Sequence, residues 1–225
     1  MRLFFILFFA CLAYANFDVN PATIKMRISR GEYNGWADIT HAGGHKPVAV
    51  ELTMYERIFD LDGNVKDTLI PNKDFVVYPS QILLYPGGMK KVQIVYRGKT
   101  KIDADRVYSL LAEEKSLPQG KADENETRIG IAFRVNYNIS VLMESGKRSE
   151  LKFVSSKTLD SGMVEVIMEN AGKGRFSFQD MNLYIGKEKI TDFAGKKNAV
   201  MPGQQRRFIF KYPRAVKANE IRFVK

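Results

Sequence analysis

Apolar and polar residues alternate with a period of two through most of this chain. "VAVELTM" sets Val48, Val50, Leu52 and Met54 on one side of an extended segment, and "KVQIVY" does the same with Val92, Ile94 and Tyr96. "VEVIM" repeats the pattern with Val164, Val166 and Met168, as "RFIF" does with Phe208 and Phe210. Such alternation predicts half-buried β-strands. Turn-forming clusters stand between them: "DLDGN" at 60–64, "YPGG" at 85–88, "LPQG" at 117–120 and "MPGQ" at 201–204. Short strands punctuated in this way predict an all-β protein made of immunoglobulin-like Greek-key β-sandwiches. One segment dissents: "DADRVYSLLAEEK" spaces Val107, Leu110 and Leu111 as a helix would, and only its context assigns it to a strand.

The longest alternation is "RIGIAFRVNYNISVLM". Its odd positions carry Ile129, Ile131, Phe133, Val135, Tyr137, Ile139 and Val141; its even ones carry Gly130, Ala132, Arg134, Asn136, Asn138, Ser140 and Leu142. A strand over 129–143 would span about 50 Å at roughly 3.3 Å per residue, against the ~17–20 Å of a typical strand. The part from about Val135 onward is expected to complete a sheet. The earlier part is expected to protrude along its edge, beside the polar stretch "EEKSLPQGKADENETR" at 113–128, which reads as a loop. Proteins normally suppress exposed apolar edges, so keeping one argues for a partner. A sheet that lacks a strand fits best, because main-chain hydrogen bonds give affinity and alternate side chains fill its groove. At ~1.5–3 kcal/mol per buried apolar side chain, four such residues offer about 6–12 kcal/mol before association costs.

The polar "ESGKRS" at 144–149 is the expected linker between a first domain, 16–143, and a second, 150–225. Each half contains a Pro-Gly turn followed by a basic strand, "LLYPGGMKKVQIVY" and "AVMPGQQRRFIF", which fits two related sandwiches. Residues 1–15, "MRLFFILFFACLAYA", have one positive charge, a short apolar run and Ala13 and Ala15 in A-x-A spacing, the pattern of a cleavable secretory signal peptide. The apolar run is shorter than the roughly 20 residues of a membrane-spanning helix, so no membrane insertion of the mature chain is expected. Lipid attachment at Cys11 is a further possibility, against which Phe8, Phe9 and Ala10 make a poor lipoprotein box. Cys11 is the only cysteine, so cleavage after Ala15 leaves a chain without thiol or disulfide chemistry, held together by apolar burial. The formal net charge of +10 favours acidic partners, but the basic residues are scattered and fit a solvated surface.

Catalytic signals are sparse. His41 and His45 flank Gly43 and Gly44 in a turn, not on a helix, so no metal site is expected there. No G-x-S-x-G elbow, P-loop or dinucleotide fingerprint occurs. The carboxylate pairs Glu113/Glu114 and Asp103/Asp105 fall in charged stretches expected to be exposed, where nothing would raise a pKa. Neither an enzyme nor a cofactor is expected. The aromatic residues Tyr78, Tyr85, Phe133 and Tyr137 lie in alternating strands, where a core role is expected, and nucleic acid is not an expected partner.

In order and spacing, several segments together resemble the periplasmic pilus chaperones of the chaperone–usher pathway. They are "FDVNPATIKM", "ADITHAGGHKPVAVELTMYER", "FVVYPSQILLYPGGMKKVQIVY", "DADRVYSLLAEE" and "RIGIAFRVNYNISV". The resemblance implies two immunoglobulin-like domains in an L-shaped arrangement and residence in the periplasm. It implies a long strand lent to pilin (fimbrial) subunits, with Ile129, Ile131, Phe133 and Val135 as the lending residues, and delivery to an outer-membrane usher. Basic residues would anchor the subunit's C-terminal carboxylate; Lys25, Arg27 and Arg134 are the candidates, because the lysine usual in the long strand falls near Asn138. Where the family has R-E-S this chain has Arg106-Val107-Tyr108-Ser109, and Ser140 stands where more divergent members have proline. These departures imply a divergent branch. An exposed edge also permits a self-capping dimer. The alternatives are a structural or surface β-sandwich protein of a pilus-like assembly and, less consistent with the missing nucleophile, an exported all-β enzyme.

Overall fold

A computed structural model describes residues 16–117, 135–178, 181–194 and 199–224. The expected signal peptide, most of the expected 113–128 loop, and Ile129, Ile131, Phe133 and Arg134 lie outside the described residues.

The first sandwich contains β1 (Phe17–Asn20), β2 (Thr23–Arg27), β3 (Asn34–His41), β4 (Val48–Phe59), β5 (Val65–Pro71), β6 (Phe75–Tyr78), β7 (Gln81–Leu84), β8 (Met89–Tyr96), β9 (Arg106–Lys115) and β10 (Asn136–Glu144). The second contains β11 (Leu151–Thr158), β12 (Met163–Asn170), β13 (Asn182–Ile185), β14 (Glu188–Ile190), β15 (Phe193–Ala194), β16 (Gln205–Lys211) and β17 (Ile221–Val224). One sheet of the first sandwich runs β1-β3-β8-β6 and the other β2-β10-β9-β4-β5, with β7 also paired to β4. The second sandwich packs β11-β12-β16-β15 against β14-β13-β17. No α-helix occurs among the described residues.

The alternating residues form the cores. Val48, Val50, Leu52, Met54, Val92, Ile94 and Tyr96 are buried in the first sandwich; Val164, Val166, Met168, Phe208 and Phe210 are buried in the second. The two Pro-Gly turns are built alike. Gly87 and Gly203 adopt φ of 73° and 74°, and each turn closes on a backbone bond, Gly88 N to Tyr85 O (2.8 Å) and Gln204 N to Met201 O (3.0 Å).

The helix-like segment is the strand β9, with Tyr108, Leu110 and Ala112 turned to the core. Its outer face is also partly covered: it carries the half-buried Val107 and Leu111 and the buried Ser109, whose Oγ meets Arg57 of β4. A strand with apolar residues on both faces loses its alternation, which explains the ambiguous pattern.

The connection between β10 and β11 is pinned. Arg148 O accepts from Lys173 N (3.0 Å) and Gly174 N (2.8 Å), and Glu150 O accepts from Ala171 N (2.8 Å). Gly172 and Gly174 run so close to the 147–150 backbone that a Cβ at either would collide with it. Asp105 is buried here, contrary to the expectation of an exposed carboxylate, because it collects donors from both sandwiches. Ser145 N and Ser145 Oγ donate to its Oδ1 (2.7 Å each), and Arg175 N donates to its Oδ2 (2.9 Å). A second tie joins the turn after β4 to β16: Arg207 N donates to Leu61 O (2.8 Å), and Arg207 Nε lies 3.4 Å from Asp62 Oδ1. Asp105→Ala is expected to lower stability by about 3 kcal/mol, because it strands buried donors. Urea unfolding followed by fluorescence and circular dichroism checks this, with loss of coincidence between the two probes marking uncoupled sandwiches.

Candidate functional site

The first strand of the fold changes sheets. β1 pairs antiparallel with β3, from Phe17 opposite His41 to Asn20 opposite Asp38. Pro21 follows with no N–H to continue that ladder. The chain then resumes as β2, parallel to β10, with Thr23 opposite Ser140 and Arg27 opposite Glu144. β10 pairs on its other side with β9, from Asn136 opposite Glu113 to Met143 opposite Arg106. Residues 140–143 of β10 therefore have ladders on both sides, whereas among the described residues 136–139 are paired with β9 alone.

This half-open edge lies within the long alternating run. Ile139 is buried, and Tyr137 packs edge-on against Phe17 with ring centroids 5.1 Å apart. The Tyr137 hydroxyl donates to Asp18 Oδ1 (3.1 Å); burial, reinforced by that carboxylate, pushes its phenol pKa up. The side chains of Asn136 and Asn138 face outward and are exposed. Val135, half-buried, leads toward 129–134, which lie outside the described residues.

On the outer face, one rung of the sheet runs Tyr55, Ser109, Ser140, Thr23. The small serines leave room for Arg57 of β4 to lie across them, and it is 7% exposed. Its Nε donates to Ser109 Oγ (2.6 Å), its Nη1 to Ser140 Oγ (2.5 Å) and its Nη2 to Asn138 Oδ1. The cation missing at Asn138 is thus supplied to that side chain from two strands away. Sequence reasoning missed Arg57; its signal was an arginine in "MYERIF" between Tyr55 and Phe59 on one face of the strand.

Beside this rung a cleft of about 440 Å³ opens between the sandwiches. Thr23, Ser140 and Leu142 line it from the first, and Arg175, Ser177 and Met201 from the second. Arg175 is 30% exposed and 3.8 Å from Glu144 Oε1. Of the expected anchors, Lys25 is exposed on β2, on the same face as Thr23. Arg27 is instead engaged by Glu32 (3.2 Å) and Glu144 (3.7 Å). Arg134 is outside the described residues.

Two aromatic expectations are corrected. Tyr78 is 73% and Tyr85 62% exposed, because Phe75 and Val77 take the inward positions of β6 and Tyr85 sits in a turn. Tyr78 stands across Gln93 from the half-exposed Trp36, giving the β1-β3-β8-β6 sheet an aromatic outer face. The buried His41 donates from Nε2 to Lys46 O (2.9 Å), a structural role, and His45 is exposed. Among the described residues no cluster of His, Cys, Asp or Glu is arranged to hold a metal.

No family model matches the sequence, and no curated protein matches it. Solved structures do match the fold. A chain of the chaperone–tip adhesin complex of CFA/I fimbriae biogenesis superposes with a TM-score of 0.62 at 13% identity, covering 93% of this chain and 98% of that one. The class 5 fimbriae chaperone CfaA gives 0.54 at 15% identity, with 93% and 92% covered. A chain of the CsuC–CsuE chaperone–tip subunit pre-assembly complex of Acinetobacter baumannii gives 0.53 at 10%, with 86% and 90% covered. Across nearly its whole length, therefore, this chain has the two-domain β-sandwich fold of the fimbrial chaperones of the chaperone–usher pathway.

Proposed function

We propose that this protein is a periplasmic assembly chaperone, neither catalytic nor cofactor-dependent, that binds fimbrial subunits by lending them the strand at 129–135 and delivers them to an outer-membrane usher. The observation that carries this reading is the half-open edge of β10. Among the described residues β9 is the one strand paired with 136–139, and the sequence running into them alternates apolar residues over Ile129, Ile131, Phe133 and Val135. A sandwich lacking one strand satisfies both features, since it needs main-chain partners and offers an apolar groove. Two of the similar structures hold a chaperone with a tip subunit, which supports a subunit as the partner class.

The cleft beside the edge is suited to the subunit's C-terminal carboxylate. Arg175 lines it, and Lys25 lies two residues along β2 from the lining Thr23, on the same face. Arg57 occupies an acceptor site on Ser140 Oγ, leaving that hydroxyl's own hydrogen to be donated, and Thr23 adds a second hydroxyl. Arg57 acts here through Ser140 and Asn138, as a positioning residue.

Affinity capture of the tagged mature protein from the periplasm of its source, with mass spectrometry of what co-purifies, tests the strand. Wild type is expected to retain a stoichiometric small β-rich subunit and Ile131→Glu to lose it without change in thermal midpoint. No subunit with wild type, or unfolding of the free Ile131→Glu protein, would sink the reading. With that subunit in hand, Lys25→Ala/Arg175→Ala is expected to weaken binding by about tenfold or more, as charge-assisted hydrogen bonds of roughly 1.5–3 kcal/mol are lost. Titration calorimetry against a subunit with an amidated C-terminus should remove that difference.

A further inference from the structure

The chain enters the fold beside a carboxylate oxygen that lacks a partner. Asn16 immediately precedes β1. Its carbonyl accepts from Ala42 N (3.0 Å), and its Nδ2 donates to Glu114 Oε1 (2.9 Å). Glu114 Oε2 is shielded from solvent and takes no hydrogen bond. Such an oxygen is costly unless a donor or a cation meets it. Of the charged and titratable groups around it, Lys115 is held by Glu51 (2.9 Å) and Glu113. Asp18 on β1 accepts from Tyr137, and the buried His41 of β3 is committed to Lys46 O. His45 and Lys46 share with Asn16 and Glu114 the wall of a cavity of about 640 Å³.

The expected signal cleavage falls between Ala15 and Asn16. We propose that the α-ammonium this cleavage creates on Asn16 is the partner of Glu114 Oε2, so that processing completes the electrostatics of the first strand. In the precursor the Asn16 nitrogen is a neutral amide with one hydrogen. Hydrolysis breaks the Ala15–Asn16 C–N bond. One water supplies the new oxygen of the Ala15 carboxylate and the two hydrogens that convert the Asn16 N–H into NH3+. That nitrogen is four covalent bonds from Nδ2, which already touches the carboxylate, so the new charge forms within the same residue that Glu114 holds. The inference rests on the signal-peptide reading and is independent of strand lending.

An α-amine titrates near about 7.7–8.0 when unpaired, and pairing with a carboxylate raises that value. Its stabilisation is therefore complete below the unfolded value and is lost as pH rises through the folded one. The test compares thermal midpoints of the mature chain beginning at Asn16 with the same chain retaining Ala15, each with and without Glu114→Gln. Glu114→Gln keeps the acceptor used by Asn16 Nδ2. The Asn16-first chain is expected to melt about 2–4 °C higher at pH 7. Retaining Ala15 moves the charge one residue away, roughly 3.8 Å. The advantage should vanish in Glu114→Gln and fade above about pH 9, beyond the ordinary α-amine range. Acetylating the Asn16 amine, which leaves every side chain in place, should lower the midpoint equally. Equal midpoints at pH 7, or a difference that survives Glu114→Gln, would overturn the proposal. So would an exported protein whose mass places its first residue anywhere but Asn16.

Discussion

A β-strand must satisfy main-chain groups on both of its sides, and the geometry of the candidate site follows from how this chain divides one short N-terminal stretch between two sheets. Residues 17–20 serve the β1-β3-β8-β6 sheet, and residues 23–27 serve the other, with Pro21 at the crossing. Five residues of β2 can cover only five residues of β10. Among the described residues the remaining length of β10 pairs with β9 alone, although Tyr137 and Ile139 are already embedded in the sandwich. The open edge is thus attached to a folded core on its inner face while its ladder is incomplete. That combination differs from a frayed terminus, which would have neither core nor register.

Much of this architecture was legible in the sequence. Val48 to Met54, Val92 to Tyr96, Val164 to Met168 and Phe208 to Phe210 all turn the expected faces inward, because one-sided burial imposes a period of two that no other element mimics. The failures also have physical causes. β9 is covered on both faces and so does not alternate cleanly. Tyr78 satisfies the alternation rule but on the outward face, and a residue's phase relative to the core becomes clear only once Phe75 and Val77 are seen to point in. Asp105 looks solvated in "KIDADR", yet its partners, Ser145 and Arg175, lie 40 and 70 residues away. Arg57 escaped notice for the same reason. Its environment is made by Ser109, Asn138 and Ser140, residues contributed by two other strands. Lys25 and Arg27 were nominated together, and only the positions of Glu32 and Glu144 separate an exposed cation from a paired one.

The two sandwiches meet through ionic and main-chain contacts more than through a shared apolar core. Each has its own set of buried hydrophobic side chains, and the ties between them are the Asp105 network and the docking of the turn after β4 on β16. Arg206, beside that docking point, is fully buried; desolvation lowers its guanidinium pKa, while Asp60 and Asp62 of the opposing turn act in the other direction. Such a junction is geometrically specific, since buried charges and amides tolerate few alternative arrangements.

The Asp105 network also has a mechanical consequence. Asp105 sits one residue before β9 and Ser145 one residue after β10, so both strands are clamped at the end nearest the second sandwich. A load applied at Asn136 travels along β10 as shear. Over 140–143 it meets ladders on both sides, and beyond them it meets the clamp. Shear must stretch several hydrogen bonds at once, whereas a ladder peeled from its open end yields one bond at a time. The strand is gripped hardest at its C-terminal end and least where, among the described residues, β9 alone pairs with it.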